Sequence, residues 1–501
     1  MIREWKRSGF WRWMSEWIDR PLSVLSPDLV VQRQASRLKY DVLDKDRLRP
    51  KRKAGPRAGD ADLSERTLDD LRQIARDLSS NNPLVKGLFR KIATNVVGTS
   101  TRIQARTADK GWNEAAEQAV KAEMIDVPCD VTGRFNFHAY IHKSYYRYIQ
   151  DGDVFTLFHD YGPEALQGEC CGTPYGAKIP EDKLDPKRYT ISNGVVFDKE
   201  TTRIVGYFLG KPNKWGYIQP HDWHCRSAER VHHMFDPERF DQSRGEPKLT
   251  SAVPYIDYLF NYIEAELVAA KINACFPIVA KTYDAKAFSG LGGIPASEMG
   301  SNQKDDFNRE KVKIQPGTLI DAEVGESYEA IGAARPAAAF DPFVMRMLMF
   351  VGGPLCLPLM LTTGDFSHAT FMNGRFAYNE ARAFWRDEQE LVVRPLVRRL
   401  WLWKIGQLID RGKLKERDDW AAHQIYLKRW PYVDPYREAQ ADKIHLENGT
   451  TTRTEIVARQ DGLDWAEEVW PERVKEEETI RDSGIVLTPQ KQSPQSNGGK
   501  D

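Results

Sequence analysis

The chain has 501 residues, of which 41% are hydrophobic and 29% charged, and its 72 basic side chains balance 72 acidic ones. This composition is typical of a soluble globular protein of about two to four domains. The sequence contains no run of about 18 apolar residues, which is the length that a membrane-spanning helix needs. A protein that grips DNA tightly usually carries a basic excess, so neutrality argues against that class but not against a surface past which DNA slides. Six cysteines in so long a chain do not form a disulfide framework and indicate a reducing compartment.

Residues 1–62 read as a basic N-terminal arm. Residues 1–61 contain 15 basic and 8 acidic side chains, and proline and glycine interrupt the basic segment RPKRKAGPRAG that begins at Arg49. The first twenty residues lack the apolar core of a secretory signal. Two interpretations of the arm stay open: it packs on a neighbouring molecule, or it makes an electrostatic contact with nucleic acid or another acidic partner.

Two amphipathic helices are predicted directly after the arm. Apolar residues recur at helical spacing in the segment that begins at Leu63, and Ser64 is the predicted cap of this helix. The segment SSNNP interrupts the pattern, and a second helix ends at Gly98. Further helices are predicted over about 113–127 and 137–150.

Short alternating segments predict antiparallel strands, so this half of the chain is predicted to be α+β. VFTLFHDY, YTISNGVVFD and TRIVGYFLG each read as one strand, with the last two joined across DKET. A long helix is predicted over 251–276 and ends before Pro277, PIVAKTY reads as a strand, and a short helix spans 341–351. Pro395 lies inside the last long helical pattern and is expected to kink or break it. A charged helix and a disordered tail over 483–501 close the chain.

The segment HDWHCRSAERVHHMF holds four of the ten histidines and raises the question of a metal site. His221, His224 and Cys225 are the candidate ligands, and they would define a metal-dependent nuclease or hydrolase. Against this hypothesis, His232 and His233 are neighbours that point to opposite faces of an extended segment, and no H-E-x-x-H pattern occurs.

Other chemical signatures are weak. The glycine-rich SGLGGIP has no following Lys-Ser/Thr, and neither a G-x-G-x-x-G strand-to-helix turn nor a G-x-S-x-G elbow occurs. Cys170 and Cys171 lie in a turn-rich loop with no local base. We therefore predict a structural or interaction protein without a cofactor, and not an enzyme.

Several segments, taken in order over about 64–478, resemble the lambda-type family of tailed-phage portal proteins. RDLSSNNPLVKGLFRKIATNVVG is similar to the family's N-terminal signature, DGDVF to its Gly-Asp/Glu-Val-Phe strand, and RVHHMFDPERFDQSRGEPKL to its block ending in Gln-x-Arg-Gly-x-Pro. EAELVAAKINACF, GGPLCLPLMLTTGDFSHATFMNGRFAYNEARAFW and WPYVDPYREAQADKIHLENGTTTRTEIVARQDGLDW extend the match. Several blocks in the same order are more specific than any single block.

The resemblance implies an α+β portal fold with a mixed α/β wing, a two-helix stem, a small α/β clip and a helical crown, assembled as a closed ring that is typically a dodecamer. On this sequence it assigns the arm to 1–62, the first part of the wing to 63–250, stem helices to 251–276 and 340–353, the clip to 277–339, the tunnel loop and a long kinked wing helix to 354–435, the crown to 436–482 and the tail to 483–501.

The resemblance also implies partners. Double-stranded DNA passes transiently and without sequence preference through the ring at one capsid vertex, during packaging and ejection. The clip docks the terminase large subunit and later a head-completion (connector) protein, while the major capsid protein and the scaffold or protease surround the ring. The implied location is the virion, with assembly in the host cytoplasm and no membrane. A missing phosphate loop agrees with this assignment, because the packaging ATPase belongs to a partner.

Candidate site residues come from two segments. The tunnel loop would present Thr362, Thr363, Asp365, Ser367 and His368 to the DNA channel. For His368, capping of the following helix is an equal alternative.

At the junction between wing and stem, Arg244, Gly245 and Pro247 are expected to be structural. Gly245 would permit a turn, and Arg244 would pair with a carboxylate such as Glu238. HDWHCRSAERVHHMF would then be the last strand of the wing, with the side chains of Val231, His233 and Phe235 on one face.

This chain departs from the family pattern at two places, and two other functions stay open. Phe240-Asp241 replaces a usual Pro-Gly, and His368-Ala369 replaces a frequent Asn-Tyr. The alternatives are the metal-dependent nuclease or hydrolase built on His221, His224 and Cys225, and a sequence-specific DNA-binding module.

Overall fold

The computed structural model describes residue 60 and residues 63–99, 101–173, 188–213, 218–274, 278–282, 326–330, 340–367, 369–430, 434–460 and 465–483. The chain is mixed α/β and divides into two compact units, one comprising residues up to Thr250 and from Ser367 onward, the other Ser251–Phe366. Several predicted segments lie outside the described residues. They are the basic arm (except Asp60), the glycine-rich SGLGGIP, most of the predicted clip, His368 and the C-terminal tail. No helix in the described part of the chain is long and apolar enough to cross a membrane.

The helices and strands are named here in chain order. They are α1 Glu65–Asn81, α2 Pro83–Val96, β1 Arg102–Ala105, α3 Lys110–Val120, α4 Phe137–Asp151, β2 Val154–His159, β3 Gly162–Gln167, β4 Tyr189–Ser192, β5 Val195–Asp198, β6 Ile204–Gly210, β7 Trp223–Ser227, β8 Val231–Met234, α5 Val253–Ala274, β9 Ile278–Thr282, β10 Glu326–Ala330, α6 Phe340–Gly352, α7 Leu359–Thr363, α8 Phe371–Glu388, α9 Arg394–Asp410, β11 His423–Tyr426, α10 Pro435–Glu447, α11 Arg453–Gln460 and α12 Trp470–Ser483.

The predicted helix starts are confirmed, because local caps determine them. The Ser64 hydroxyl accepts a hydrogen bond from the Thr67 amide and begins α1. Asn82 separates α1 from α2, and its side-chain oxygen accepts from the amides of Leu84 and Val85. Gly98 follows α2 with a left-handed φ of +58°. Both helices pack against α4.

The described residues of the first unit form three antiparallel sheets, ordered β3-β2-β8, β4-β5-β6-β7 and β1-β11. The strand predicted for VFTLFHDY and the DKET connection between β5 and β6 are confirmed. YTISNGVVFD is not one strand, because Asn193 and Gly194 both have positive φ and turn it into the β4–β5 hairpin. An Asn-Gly pair is the preferred sequence for such a tight turn.

The main core of this unit lies between the three-stranded and four-stranded sheets. Side chains from both sheets fill it, namely Phe155, Leu157, Leu166, Cys170, Cys171, Val195, Tyr207, Leu209 and Val231. The histidine-rich segment crosses between the sheets. It is not one strand, as predicted, but two strands, β7 and β8, joined by the 3-10 turn Ala228–Arg230.

The second unit is built on a pair of helices. The rings of Tyr255 on α5 and Phe350 on α6 stack at 5.1 Å between centroids, and Tyr262 contacts Phe340 and Phe343. The strand predicted in PIVAKTY is confirmed as β9, which pairs with β10.

Pro395 neither breaks nor ends the long helical pattern. A π-helical turn over Gln389–Val393 joins α8 to α9, and Pro395 lies at the beginning of α9. Proline has no amide hydrogen to donate to the preceding turn, and that turn is π-helical rather than α-helical.

Candidate functional site

A buried carboxylate, Asp153, lies directly before β2 and is the centre of a polar site in the described part of the first unit. Its side chain is fully buried, and three side chains surround it: Arg72 of α1, His233 of β8 and Arg244. We call these four residues the Asp153 junction. Three regions that are far apart in sequence, around residues 72, 153 and 233–244, thus meet at one carboxylate.

Arg244 makes the closest contacts of the junction. Its Nε donates to Asp153 Oδ2 at 2.6 Å, and its Nη1 donates to the carbonyl oxygens of Cys171 and Asn193 at 2.7 and 2.9 Å. Nη2 donates to the Gly168 carbonyl. Because a guanidinium carries five donors in a fixed plane, one side chain can hold both sheets in place.

The electrostatics keep the junction ionised. Burial by itself would raise the pKa of Asp153, but the charges of Arg244 and Arg72 outweigh burial and hold that pKa well below its usual value. Burial lowers the pKa of His233, whose ring stacks between Phe155 and Phe235. His233 is therefore a neutral ring next to a paired carboxylate.

Glycines allow the two motifs DGDVF and QSRGEP to touch. A Cβ on Gly245 would lie 2.1 Å from the Gly152 carbonyl oxygen, and a Cβ on Gly152 would lie 2.4 Å from the Glu246 carbonyl carbon. Gly152 also has φ of +88°, while Gly245 does not have positive φ. The two backbones approach so closely that no side chain fits between them.

A second polar cluster lies beside the junction. Lys248 Nζ is 2.8 Å from Asp236 Oδ2 and 3.4 Å from Glu388 Oε1, and the Tyr145 hydroxyl donates to Glu388 Oε2 at 3.0 Å. Burial raises the pKa of Glu388, and the nearby Lys248 opposes this shift. The cluster ties the end of α8 to α4 and to the segment that follows β8.

Arg244, Gly245 and Pro247 are all buried, but two of the contacts predicted for them are wrong. Arg244 pairs with Asp153 and not with Glu238, whose amide instead donates to Gln242 Oε1. Gly245 does not form a turn, and the absence of a side chain there lets its backbone lie close to that of Gly152. The Pro247 carbonyl accepts from the Thr250 amide and hydroxyl, just before α5 begins.

Sequence reasoning missed Asp153, Arg72 and Asp60. An acidic residue at the head of the apolar strand VFTLF was the available signal, because a carboxylate in a core requires a cation. Asp60, at the end of the basic arm, accepts hydrogen bonds from the amide and hydroxyl of Ser243 at 2.7 and 2.8 Å. The described end of the arm is therefore anchored next to Arg244.

The predicted tunnel-loop residues do not share one environment. Thr362 is buried in α7, and its hydroxyl donates to the carbonyls of Leu357 and Pro358. The Thr363 hydroxyl donates to the Leu359 carbonyl and accepts from the Asp365 amide.

The rest of the predicted loop is exposed or caps a helix. Asp365 and Ser367 are exposed, and His368 lies outside the described residues. Capping of the next helix, the alternative role given to His368, belongs to Thr370, whose side chain accepts from the Asn373 amide. That alternative prediction was wrong.

The three candidate metal ligands do not converge. His224 and Cys225 are neighbours on β7 and therefore point to opposite faces, with Cys225 against Val196 and Phe208. His221 lies in the preceding 3-10 turn, exposed and beside Asp222. Within the described residues, no group of three or more His, Cys, Asp or Glu side chains is arranged to hold a metal ion.

The adjacent cysteines are core residues. Cys170 and Cys171 are buried between the sheets, and burial raises the pKa of each thiol to about 12. Neutral buried thiols are poor nucleophiles. Their surroundings are those of packing residues.

The fold and the Asp153 junction define a structural framework, in which two signature-like motifs pack directly on each other. The model of the lambda family of phage portal proteins matches residues 45–389, and the chain belongs to this family. It is therefore a structural, non-enzymatic portal protein of a phage-like particle. The probable portal protein of Halomonas phage phiHAP-1 is 24% identical over 432 residues, which cover 80% of this chain and 79% of that protein.

Solved structures of gene transfer agent particles are also similar to this chain. A chain from the neck of an empty particle, computed with C6 symmetry, has a TM-score of 0.43 and 16% identity over 78% of this chain and 92% of that chain. A chain from the virion of the native particle has a TM-score of 0.42 and 15% identity, and the match again covers 78% of this chain and 92% of that chain.

Proposed function

We propose that copies of this portal protein form a closed ring, a dodecamer, at one capsid vertex, and that double-stranded DNA passes through its axial channel during packaging and ejection. Under this proposal α5 and α6 are the stem, the first unit supplies the wing and the crown, and residues 277–339 form the clip. The Asp153 junction stabilises the end of the wing from which the stem begins.

Exposed apolar side chains on the helix pair α5–α6 carry the proposal. Tyr258, Leu267 and Val268 of α5, and Met349 and Phe350 of α6, are each more than two-fifths exposed in the single chain. Several large apolar side chains exposed on one pair of helices favour an interface there. A closed ring would cover it on both sides of every copy, because each subunit contacts two neighbours through different surfaces.

The charge of the same helices suits passage of DNA. The α5 helix carries three carboxylates, Asp257, Glu264 and Glu266, against one cation, Lys271. Each cation that neutralises a phosphate adds salt-dependent affinity, which would slow a moving duplex. An acidic helix facing a channel would guide DNA without holding it.

The remaining details are proposals as well. The exposed part of the tunnel loop, with Asp365 and Ser367 next to His368, would face the channel, while the buried Thr362 would fix the shape of α7. The clip would dock the terminase large subunit and then a head-completion protein, and the outer surface would meet the major capsid protein and the scaffold or protease. DNA contact would be weak and independent of sequence.

A matched pair of valine substitutions tests ring assembly. Val268 on α5 is 49% exposed and Val127 in the first unit is 44% exposed, so Val268→Glu and Val127→Glu are equivalent changes in exposure and chemistry. A buried unpaired carboxylate costs several kcal/mol at an interface. We expect Val268→Glu to shift the sedimentation profile from rings to monomers, and Val127→Glu to leave rings intact.

Two outcomes would contradict the proposal. Wild-type protein that sediments as a monomer at every concentration would remove the ring, and unchanged rings in Val268→Glu would remove α5 from its interface. For DNA, gel-shift assays with two unrelated duplexes should give the same weak affinity at physiological salt. Tight binding to one of them would instead identify a sequence-specific module.

A further inference from the structure

A second surface of the first unit has the features of a peptide-binding site. It surrounds the two-stranded sheet in which β1 pairs with β11, with Arg102 opposite Tyr426 and Ala105 opposite His423. Beyond the strand ends, the Arg106 amide donates to the Ala422 carbonyl at 2.9 Å. This hydrogen bond shows which residues of β1 and β11 direct their backbone groups toward the partner strand and which direct them away from it.

Residues of an antiparallel pair alternate between bonding to the partner strand and pointing their backbone groups away from it. Because Arg106 bonds to Ala422, the backbone groups of Ala105, His423 and Ile425 point outward. The Ala105 amide confirms this by donating to Glu117 Oε1 of α3 at 3.0 Å. Thus α3 covers the outer edge of β1, whereas the outer edge of β11 faces a groove.

Arginines line that groove. It has a volume of about 410 Å³ and lies between β11 and the first turns of α9, with Arg394, Arg398 and Arg429 around it. Arg394 is fixed by Glu390 and donates to the Ile425 carbonyl at 3.1 Å. Arg398 is exposed and makes no ion pair with a carboxylate in the described part of the chain.

We propose that this groove binds an extended acidic peptide segment of a partner protein, which adds as a strand to the outer edge of β11. Arg394 occupies the Ile425 carbonyl on this edge, and the other outward backbone groups of β11 are a template for backbone hydrogen bonding that gives affinity without a particular sequence. The exposed guanidinium of Arg398 adds the preference for carboxylates.

A peptide fits these features better than a duplex does. The outward amides of His423 and Ile425 repeat at the two-residue spacing of a strand, so they match the carbonyls of an extended chain. The four residues of β11 span about 14 Å, so a strand added along this edge would pair over about four residues. Phosphate contacts alone would use the arginines but not the strand edge.

The test uses the full-length protein and a fluorescein-labelled octapeptide of alternating glutamate with valine or threonine. A second peptide has the same sequence but carries N-methyl groups on alternate amides, which removes the strand hydrogen bonds and keeps the charge. A 12-base-pair duplex is the third probe. The protein variants are Arg398→Glu in the groove and Arg90→Glu, an exposed arginine on α2.

We expect the octapeptide to bind wild type and Arg90→Glu within about twofold of each other, and Arg398→Glu to weaken it by at least about tenfold. N-methylation should weaken binding by a similar factor. The proposal is overturned if the octapeptide does not bind below about 1 mM, if N-methylation has no effect, or if the duplex binds the groove more tightly and in an Arg398-dependent way. Circular dichroism of each variant verifies folding.

Discussion

The Asp153 junction and the helix pair α5–α6 differ in how completely their side chains are buried within a single copy. At the junction, a fully buried carboxylate meets two arginines and a histidine of the same chain. On the helix pair, aromatic side chains such as Phe350 stack internally yet stay half exposed. The charged groups of the first region are paired within one copy, whereas under the proposed ring the second region is covered by a neighbouring copy.

This difference separates folding from assembly. Buried ion pairs are expensive unless every group is satisfied, so the junction specifies one arrangement of the sheets within each subunit. Exposed apolar helices cost little in the single chain and become stabilising only when another copy covers them. Substitutions at the junction should therefore change subunit stability, and substitutions on α5 should change ring formation.

The largest effect on stability is expected at Arg244. Arg244→Ala leaves Asp153 with one arginine fewer and removes the donors to three carbonyl oxygens. Breaking a buried pair costs about 3–5 kcal/mol in free energy of unfolding. Urea unfolding followed by tryptophan fluorescence measures it.

The control is Arg188→Ala, because Arg188 pairs with Asp198 but its side chain is 51% exposed. Exposed pairs contribute about 0–1 kcal/mol. Equal losses in Arg244→Ala and Arg188→Ala would show that the junction is not the stabilising framework described above.

Gly245→Ala should have the next largest effect. The added methyl group would lie 2.1 Å from the Gly152 carbonyl oxygen, so one of the two backbones must move. Overpacking of this kind costs about 1–3 kcal/mol. Gly87→Ala is the control, since nothing lies within 4 Å of its Cβ position in α2, and alanine there should stabilise the helix by about 0.5–1 kcal/mol. A destabilised Gly87→Ala with an unaffected Gly245→Ala would contradict the close approach.

His232 extends the comparison to a group that is buried without a charged partner. Burial, followed by the charges of His233 and Arg399, lowers its pKa to about 4. The unfolded chain, with a histidine pKa of about 6.5, binds the proton more readily, so stability is complete above that value and falls as pH decreases toward 4. Between pH 7 and pH 5, wild type should lose roughly 1–2 kcal/mol more than His232→Gln.

The control for this pH effect is His221→Gln, because the His221 side chain is 76% exposed. This variant should follow the wild-type pH dependence. A His232→Gln protein that follows wild type as closely as His221→Gln does would show that His232 is solvated.

The smallest effect is expected at the cap of α8. Thr370→Ala removes the side chain that accepts from the Asn373 amide and should cost about 1 kcal/mol. Thr479→Ala is the control, because its hydroxyl bonds only to a carbonyl within the exposed helix α12; its effect should stay within about 0.5 kcal/mol. Thermal unfolding of both variants compares them, and a neutral Thr370→Ala would place the cap elsewhere.

Local signals in the sequence predicted local structure well. Ser64 and Asn82 cap their helices through neighbouring amides, so spacing and residue type were sufficient to place α1 and α2. The β4–β5 hairpin was missed although Asn193-Gly194 is a strong turn signal, because the apolar pattern continues on both sides of it. Pro395 was expected to kink or break the helix, but the helical pattern continues through it and a π turn lies directly before it.

Long-range pairing could not be predicted in the same way. Arg244 and Asp153 are 91 positions apart, and only the packing of two sheets brings them together. Glu238 was the predicted partner because it is close to Arg244 in sequence. The histidine-rich segment likewise gave no sign that β7 and β8 belong to different sheets, which is what separates His224 from His233.

Electron cryomicroscopy of the purified full-length protein tests the ring most directly. We predict closed rings in which α5 and α6 of neighbouring copies contact each other around a central opening at least as wide as a DNA duplex. Monomers at every concentration, or rings in which the apolar side chains of α5 and α6 remain exposed to solvent, would contradict the proposal.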